Sequence, residues 1–381
     1  MIRRLRVATL ITRLEGGAGV LALRGLLALD RTQFLPVLVT GSGDRHLDQA
    51  SAAGLEVITV PALRAPIDPR RDASAMRTLS ALLRQGSFDI VHTHTAKAGA
   101  LGRIAASRAG VPRVVHTYHG FPFHEFQSPL RRISYIAIER RLGRVTDVAL
   151  CVGTGVAVEA IRRGLVPPER VRTIGVAVPC RPPPAPGARE RARRALGVPP
   201  DATVVGAVGR LTYQKAPEDF LAAMRELGRM REPGQPDVVG VWVGGGDLAE
   251  RIDRLTRSAP GPRVVLAGER GDVPELLPAF DVFTLPSRYE GLPTAVVEAM
   301  ACGIPVVATA VNAVGDVVVP GETGLLVPPR RPDLLAETVN YLLNSPDAAA
   351  RMALTARERL GVRFSVTALR EVLVAAYTGQ R

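Results

Sequence analysis

Two glutamates that could do chemistry lie close together in the segment RYEGLPTAVVEAM, where seven residues separate Glu290 from Glu298. An acid/base pair of the kind that cleaves sugars needs two carboxyl groups facing each other across one bond. Here the apolar run DVFTLPS predicts a strand that ends before Glu290, and Pro293 can open a helix with Glu298 in its second turn. This placement favours recognition of hydroxyl groups over acid/base chemistry. The alternative for Glu298 is an ordinary position on the helix surface.

A pair of cations follows another predicted strand, VVGAVGR, with Arg210 at the strand end and Lys215 five residues later. Pro217 marks the first turn of the next helix. A forked guanidinium, a compact ammonium and the N–H groups of a helix N-terminus together suit a diphosphate. The N–H groups from Gly291 onward would also point at a nearby anion. The alternative is that both cations are solvated surface groups.

Glycine clusters follow two predicted strands. Gly245 is the middle glycine of VGGGDL, and Gly16, Gly17 and Gly19 of LEGGAGVLA lie between the first predicted strand and the first predicted helix. Glycine lets the backbone approach a ligand closely or make a tight turn, and both interpretations stay open for these clusters. The first cluster is not GxGxxG, so dinucleotide binding is not predicted.

Five of the six histidines lie between residues 92 and 124. His92 and His94 alternate on the predicted strand DIVHTHT, which suggests either metal ligands or histidines hydrogen-bonded in the core. No acidic residue lies at a familiar metal spacing, so we predict no metal site. His119 is different, because it ends the next strand, precedes Gly120 and faces the edge where ligands bind in α/β sheets.

The formal net charge of +13 comes from 49 basic residues, of which only Lys97 and Lys215 are lysines. Such a composition indicates a bias toward arginine codons rather than a nucleic-acid-binding surface. No nucleic-acid-binding motif accompanies the charge, so no nucleic-acid partner is predicted. Arginine and lysine differ in shape and hydration, so a site that needs a compact ammonium could resist replacement of its lysine.

The expected location is the cytoplasm. No apolar segment reaches the roughly 18–20 residues that span a bilayer. The N-terminal MIRRLRVATLITRLEGG has no small-residue cleavage site and predicts a first strand rather than a signal peptide. The three cysteines form neither a CxxC pair nor a zinc pattern, which favours reduced thiols.

Short β-branched apolar runs alternate with helical patterns throughout the 381 residues. This alternation predicts an α/β protein with two doubly wound parallel sheets in tandem. The Pro-rich and then Arg-rich segment 179–200 is the predicted linker. We therefore expect a first domain over 1–178, a second over 201–364 and a terminal helix over 365–381.

A basic helix is predicted over residues 129–144, where five arginines flank the apolar run ISYIAI. Basic amphipathic helices lie on anionic membranes, so this segment is a candidate for peripheral contact with the inner face of the membrane. The alternative is a helix that faces the core and has a solvated arginine edge.

Taken together, several segments resemble the retaining GT-B glycosyltransferases of family 4, the glycosyl transferases group 1, over essentially the whole chain. They are GGAG, VHTHTAKAGALGRIAA, HTYHGFPF, VGRLTYQK, GGG, EGLPTAVVEAMACGIPVVAT and GETGLLV. HTHTAKAG and HGF are most similar to the branch with capsular and exopolysaccharide transferases. The resemblance implies two facing Rossmann-like domains with an interdomain cleft, and a C-terminal helix that crosses back to the first domain.

The resemblance also implies roles for individual residues. A nucleotide sugar, with UDP as the best choice of nucleotide, would bind mainly to the second domain, and a hydroxyl acceptor (a saccharide, a lipid-linked saccharide or a small molecule) mainly to the first. In the second domain, Arg210 and Lys215 would contact the diphosphate, Glu298 the ribose, and Val273 the base. Glu290 and the amides of Gly291 and Leu292 would contact the sugar. In the first domain, His119 would lie near the reacting end of the sugar, and Gly16 and Gly17 would contact the diphosphate or sugar when the domains close.

The predicted function is transfer of a hexose or N-acetylhexosamine with retention, without a cofactor and without a metal ion. One departure concerns the sugar pocket, because the family often has two glycines just after VVAT, where this chain has Val311, Asn312 and Ala313. Two other functions stay open: a non-hydrolysing nucleotide-sugar epimerase of the same fold, and a non-catalytic nucleotide-sugar binding protein.

Overall fold

The computed structural model divides into two compact units. The first unit comprises Met1–Ala177 with Phe364–Arg381, and the second comprises Val178–Arg363. The residues that the structure describes are 3–43, 45–123, 127–178, 185–258 and 260–379.

The described part of the first unit contains a seven-stranded parallel sheet with strand order β3-β2-β1-β4-β5-β6-β7. Its strands are β1 (Leu5–Leu14), β2 (Phe34–Gly43), β3 (Glu56–Thr59), β4 (Ile90–His94), β5 (Arg113–Tyr118), β6 (Val148–Cys151) and β7 (Val171–Thr173). The helices between them are α1 (Gly16–Ala28), α2 (Arg45–Ala52), α3 (Pro69–Gln85), α4 (Ala96–Ala109), α5 (Pro129–Gly143) and α6 (Thr154–Arg162).

Each face of this sheet has its own core. Alternate residues of β1 point to opposite faces, so Leu10 packs with α3 and α4, while Ile11 packs with α1. Both are fully buried, as are both faces of β4. A parallel sheet covered by helices on both faces is the doubly wound arrangement that the sequence predicts.

The second unit repeats this plan with a six-stranded parallel sheet in the described residues, in the order β10-β9-β8-β11-β12-β13. Its elements are α7 (Ala188–Leu196), β8 (Thr203–Val208), α8 (Pro217–Met230), β9 (Val238–Val243), α9 (Ala249–Ser258), β10 (Val264–Gly268), α10 (Val273–Leu276), β11 (Val282–Leu285), α11 (Thr294–Ala301), β12 (Val306–Thr309), β13 (Leu325–Val327), α12 (Pro332–Asn344) and α13 (Pro346–Arg363).

Part of the segment predicted as a linker is helical. Residues 179–184 lie outside the described residues, but α7 occupies the Arg-rich half of the segment. Within the second unit Arg193 is buried, and its guanidinium lies 2.9 Å from the Asp281 carboxylate. Its NH1 also donates to the Pro200 carbonyl at 2.5 Å. The arginine run therefore contributes a packed helix, which proline content alone did not reveal.

The last helix, α14 (Val366–Thr378), belongs to the first unit, as the resemblance implies. It packs on α1, where a side chain at Gly25 would lie 3.0 Å from Leu373. The Ala376 carbonyl accepts a hydrogen bond from Arg113 at 2.9 Å. The buried Tyr377 hydroxyl lies 2.7 Å from His92 of β4. Helix α14 is thus part of the first unit's core.

Candidate functional site

A largely buried charge pair of the second unit joins Lys215 and Glu290. Lys215 Nζ lies 2.5 Å from Glu290 Oε1, and the two side chains are 16% and 5% exposed. Lys215 follows β8 and Glu290 follows β11, which are neighbours in the sheet. Carboxyl ends of parallel strands meet at one edge, so residues 75 positions apart come together there.

Three neighbouring side chains hold the Glu290 loop. Ser287 Oγ donates to Glu290 Oε1 at 2.6 Å, and Gln214 Nε2 donates to Glu290 Oε2 at 3.4 Å. The Glu290 backbone N–H donates to Asn312 Oδ1 at 3.4 Å. Asn312 has φ +44°, a left-handed conformation that asparagine tolerates better than most residues. The departure from the family's glycines thus adds a side chain that contacts the Glu290 loop.

The loops that carry Lys215 and Glu290 are also joined to each other. The Arg288 backbone N–H donates to the Gln214 carbonyl at 2.8 Å, and Gln214 Nε2 donates to the Tyr289 carbonyl at 3.0 Å. The Arg288 guanidinium lies 4.1 Å from the centre of the Tyr213 ring. These contacts fix the Lys215–Glu290 geometry through backbone as well as side chains.

The triple glycine supports the loop that bears Arg210. A Cβ at Gly244 would lie 2.2 Å from the Gly209 carbonyl oxygen, and one at Gly246 would lie 2.5 Å from the Leu211 carbonyl oxygen. The Leu211 N–H donates to the Gly245 carbonyl at 2.7 Å. The close contact of Gly244 and Gly246 with this loop therefore explains why both positions are glycine.

Gly245 itself has room for a side chain, because the nearest atom to a Cβ there is 3.8 Å away on Glu269. Among the three glycines, Gly245 alone has room for a Cβ. Arg210, on the neighbouring loop, is exposed.

The remaining predicted donor residues of the second unit lie at the same sheet edge. Gly291 and Leu292 are buried between β11 and α11, and Glu298 is half-buried in the second turn of α11. The first N–H groups of this helix have no intrahelical partners and can bind an anion. Val273 begins α10, directly after β10 and the paired residues Arg270 and Asp272.

Histidines dominate the corresponding edge of the first unit. His94 ends β4 and His119 follows β5, and His94 Nδ1 lies 2.8 Å from His119 Nε2. Burial lowers the pKa of His119 to about 4 and the pKa of His94 well below its usual range. Both imidazoles are consequently uncharged at neutral pH.

His92 and His116 lie deeper in the sheet. Burial lowers the pKa of His92 to about 3, and its ring nitrogens lie 2.7 Å from Tyr377 Oη and 2.7 Å from Thr117 Oγ1. On the opposite face, His116 Nδ1 lies 2.8 Å from Thr93 Oγ1. These contacts match the core interpretation of the strand histidines. Among the described residues, no group of three or more His, Cys, Asp or Glu side chains could hold a metal ion.

The N-terminal glycines are part of a helix, so the prediction that they form the connection between strand and helix was wrong. Helix α1 begins at Gly16, which has φ +60°, and Gly17 lies in its exposed first turn. A Cβ at Gly19 would lie 2.6 Å from the Leu14 carbonyl carbon. The glycines thus let α1 begin immediately beside the end of β1.

Sequence reasoning missed the side chains that position the candidate residues. Ser287, Gln214 and Asn312 contact Glu290, and His94 contacts His119. A weak signal existed for each, because all four adjoin a strand end or a candidate residue. Their partners depend on strand order, which periodicity does not reveal.

Two family profiles cover most of the chain. The one described as "Glycosyl transferases group 1" matches residues 188–359, and the one described as "Glycosyltransferase Family 4" matches residues 15–182.

Several relatives are named as glycosyltransferases. The chain is 35% identical over 256 residues to UDP-Gal:alpha-D-GlcNAc-diphosphoundecaprenol alpha-1,3-galactosyltransferase of Escherichia coli, a match that covers 66% of each protein. It is 31% identical over 362 residues to D-inositol 3-phosphate glycosyltransferase of Actinosynnema mirum, covering 89% of this chain and 83% of that protein.

Solved structures with the same fold include Anabaena HepE in complex with UDP-glucose. That structure superposes with a TM-score of 0.83 at 21% identity, covering 99% of this chain and 100% of HepE. Sucrose-phosphate synthase from Thermosynechococcus elongatus superposes with a TM-score of 0.82 at 22% identity, with 99% of each chain covered. The two doubly wound units, and the charged residues that meet at one sheet edge, agree with these matches. The chain belongs to the group 1 glycosyltransferases of family 4 and is an enzyme of the GT-B fold.

Proposed function

We propose that this glycosyltransferase moves a hexose or N-acetylhexosamine from a UDP-linked donor to an acceptor hydroxyl, with retention of the anomeric configuration. The single observation that carries the proposal is the Lys215–Glu290 pair at the carboxyl edge of the second unit, beside the Arg210 loop. The relative that uses UDP-Gal and the HepE complex with UDP-glucose support the choice of UDP.

The proposed donor contacts follow from charge and position. Arg210 and Lys215 bind the diphosphate, since both are cations in the loop that leads from β8 to the N-terminus of α8. Glu290 accepts hydrogen bonds from hydroxyls of the transferred sugar. Glu298 accepts hydrogen bonds from the ribose, and Val273 lies against the base.

Backbone groups and a neutral imidazole complete the proposed set. The amides of Gly291 and Leu292 donate to the sugar and phosphate, and the open surface at Gly245 admits the donor closely. Gly16 and Gly17, exposed in the first turn of α1, contribute a backbone surface for the diphosphate or sugar. His119 contacts the sugar near its reacting carbon.

Charge explains how these residues would accelerate transfer. Breaking the sugar–phosphate bond places negative charge on the leaving diphosphate and positive character on the sugar. Fixed cations and helix N–H groups stabilise the departing charge, and one such donor typically contributes roughly 2.7–4 kcal/mol to lowering the barrier. We propose that Arg210 and Lys215 supply this stabilisation without a divalent ion.

Retention requires the acceptor to attack from the face that the diphosphate leaves. We propose that the leaving phosphate oxygen takes the acceptor's proton as the new bond forms. Glu290 then acts as a ligand of the sugar, because its pairing with Lys215 suits a fixed carboxylate.

A panel assay tests this proposal. The purified protein is incubated with UDP-, GDP- and ADP-linked sugars, with and without saccharide and lipid-linked acceptors, and in EDTA. We expect UDP release only with an acceptor, unchanged by EDTA, and NMR of the product should show the donor's anomeric configuration. Conversion of the donor without an acceptor would identify an epimerase, and binding without any conversion would identify a non-catalytic protein.

We further propose that the acceptor is lipid-linked, in polysaccharide or glycolipid biosynthesis at the inner face of the cytoplasmic membrane. The name of the E. coli relative specifies an undecaprenol-linked acceptor, which supports this choice. None of the described helices is long and apolar enough to cross a membrane. We infer that the protein reaches such an acceptor through a surface that binds peripherally to the membrane.

Helix α5 offers such a surface. Its buried face is held by Glu139, which lies 2.8 Å from the Arg103 guanidinium, while Leu130, Ile133 and Ile138 are 80%, 61% and 47% exposed. These three lie within an arc of about 140° around the helix axis, on the half of the helix opposite Glu139, at 3.6 residues per turn. The flanking arginines of α5 add attraction to anionic lipid, each about 1 kcal/mol near the surface.

Co-sedimentation with vesicles tests the membrane proposal. We expect binding to phosphatidylglycerol vesicles that weakens with salt, and little binding to phosphatidylcholine. The double variant Leu130→Ser with Ile133→Ser should lose binding, whereas Ile67→Ser, at a 72% exposed position outside α5, should retain it. Vesicle binding that depends neither on the salt concentration nor on anionic lipid would refute the proposal.

A further inference from the structure

His94 and His119 form a hydrogen-bonded pair at the edge of the first unit's sheet. Their strands are neighbours, and His94 Nδ1 lies 2.8 Å from His119 Nε2. The ring centres are 5.1 Å apart. Only 3% of His94 is exposed, whereas His119 is partly exposed. His94 is therefore less accessible to solvent and ligands than His119, to which it is bonded.

The His94 ring is itself fixed by a chain of contacts. It lies against the His92 ring, with centres 4.3 Å apart. His92 is held at both nitrogens, by Tyr377 of α14 and by Thr117 of β5, each at 2.7 Å. A residue with so little freedom can define the orientation of its neighbour.

Burial determines the charge of the two rings, and the hydrogen bond between them links their tautomers. Since burial lowers the pKa of both His94 and His119, the pair is uncharged at neutral pH. In a bond between two neutral imidazoles one nitrogen donates and the other accepts, so the tautomer of one ring determines that of the other. With Nε2 engaged by His94, Nδ1 is the His119 nitrogen that a ligand can reach.

We propose that His94 is a positioning residue for His119: it fixes the ring orientation and tautomer so that His119 presents Nδ1 to a hydroxyl of the transferred sugar. This inference rests on the proposed role of His119 in donor binding. In this proposal His94 touches no substrate itself, but it determines how His119 binds the sugar.

Two variants of His94 separate positioning from packing. Asparagine can place a polar atom near the former Nδ1 and keep the hydrogen bond, whereas leucine fills space and leaves His119 Nε2 without its partner. We expect His94→Leu to lower turnover about tenfold, as for loss of one buried hydrogen bond. His94→Asn should recover most of that loss, and UDP affinity should stay at the wild-type value in both.

The direct readout is the ¹⁵N NMR spectrum of the His119 ring in the protein without donor. We expect one fixed tautomer in wild type and in His94→Asn, and a mixture or the opposite tautomer in His94→Leu. His116→Asn is the matched control, because His116 is equally buried and bonded to Thr93 on the other face of the sheet. It should leave turnover and the His119 spectrum unchanged.

Three results would overturn the inference. They are an unchanged His119 spectrum in His94→Leu, an altered spectrum with normal turnover, and equal loss of turnover in His116→Asn. Failure of the proposed function is a different result, since the wild-type protein would then transfer no sugar while the spectrum still reports on the histidine pair.

Discussion

The two units present opposite chemistry at the same edge of similar sheets. In the first unit, the uncharged His94 ends β4 and the uncharged His119 follows β5, and all six histidines of the chain belong to this unit. In the second, a lysine and a glutamate follow β8 and β11 as a charged pair. One fold plan thus supports uncharged histidines at the ends of β4 and β5 (the neutral edge) and a charged pair after β8 and β11 (the charged edge).

Burial and pairing explain the difference. A histidine surrounded by apolar side chains loses its proton, because the charged form is poorly solvated there. Lys215 and Glu290 remain together because each supplies the other's counter-charge and Ser287 adds a hydrogen bond. We infer that the neutral edge suits sugar hydroxyls, whereas the charged edge suits a diphosphate at Lys215 and a sugar hydroxyl at Glu290.

The largest expected effect is at Lys215. Lys215→Ala removes the ammonium from the charged edge and should lower turnover by about two orders of magnitude or more, by analogy with other sites of charge stabilisation. Steady-state kinetics with the preferred UDP-sugar measures this. Lys97→Ala is the control, because Lys97 pairs with Asp72 in the first unit at 2.6 Å. Turnover of Lys215→Ala near the wild-type value would contradict the assignment.

A smaller loss is expected at Glu290. Glu290→Gln keeps the size of the side chain but replaces charge-assisted hydrogen bonds with neutral ones, so kcat/KM should fall about 10- to 100-fold. Ser287→Ala removes one contact to the same carboxylate and should have a weaker effect in the same direction. Equal kinetics for Glu290→Gln and wild type would show that the charged edge does not contact the sugar.

The glycines that support the Arg210 loop should separate an effect on stability from an effect on binding. Gly244 has φ +139°, and its Cβ would clash with the Gly209 carbonyl, so Gly244→Ala should destabilise the second unit by about 1–3 kcal/mol. Gly245→Ala has room and should leave the melting temperature unchanged while weakening UDP-sugar binding. Differential scanning calorimetry and calorimetric titration measure the two effects. Equal melting temperatures for both variants would refute the packing argument.

The last expected effect is a pH dependence of stability that is stronger in the first unit. The pKa of His119 is about 4 and that of His92 about 3 in the folded chain, below the 6.5 of a free histidine. Between these values the unfolded chain binds more protons, so the free energy of unfolding should fall as the pH drops from about 6.5 toward 4.

Hydrogen exchange at pH 7 and pH 5, corrected for intrinsic rates, can localise this loss. Protection of β4 and β5 should decrease more than that of β8 and β9. Equal decreases in the two units would contradict the histidine explanation.

Much of the fold could be predicted from the sequence, because continuous apolar runs and helical periodicity locate most strands and helices. The positions of Glu290 before α11 and of Glu298 within it were likewise predicted, since Pro293 marks the helix start and DVFTLPS the strand. The start of α1 at Gly16 was missed, because a glycine run usually indicates a turn.

Side-chain partners were beyond prediction for a physical reason. Lys215 meets Glu290, and His94 meets His119, only because particular strands are neighbours in the sheets. Strand order depends on the packing of the whole unit rather than on local periodicity. The site types were therefore predictable, but the contacts that position them were not.

Calorimetric titration of UDP tests the contrast between the two edges most directly. We expect Lys215→Ala to bind UDP much more weakly than wild type, whereas His119→Asn should bind UDP normally and lose only sugar transfer. Normal UDP binding by Lys215→Ala together with weakened binding by His119→Asn would contradict it.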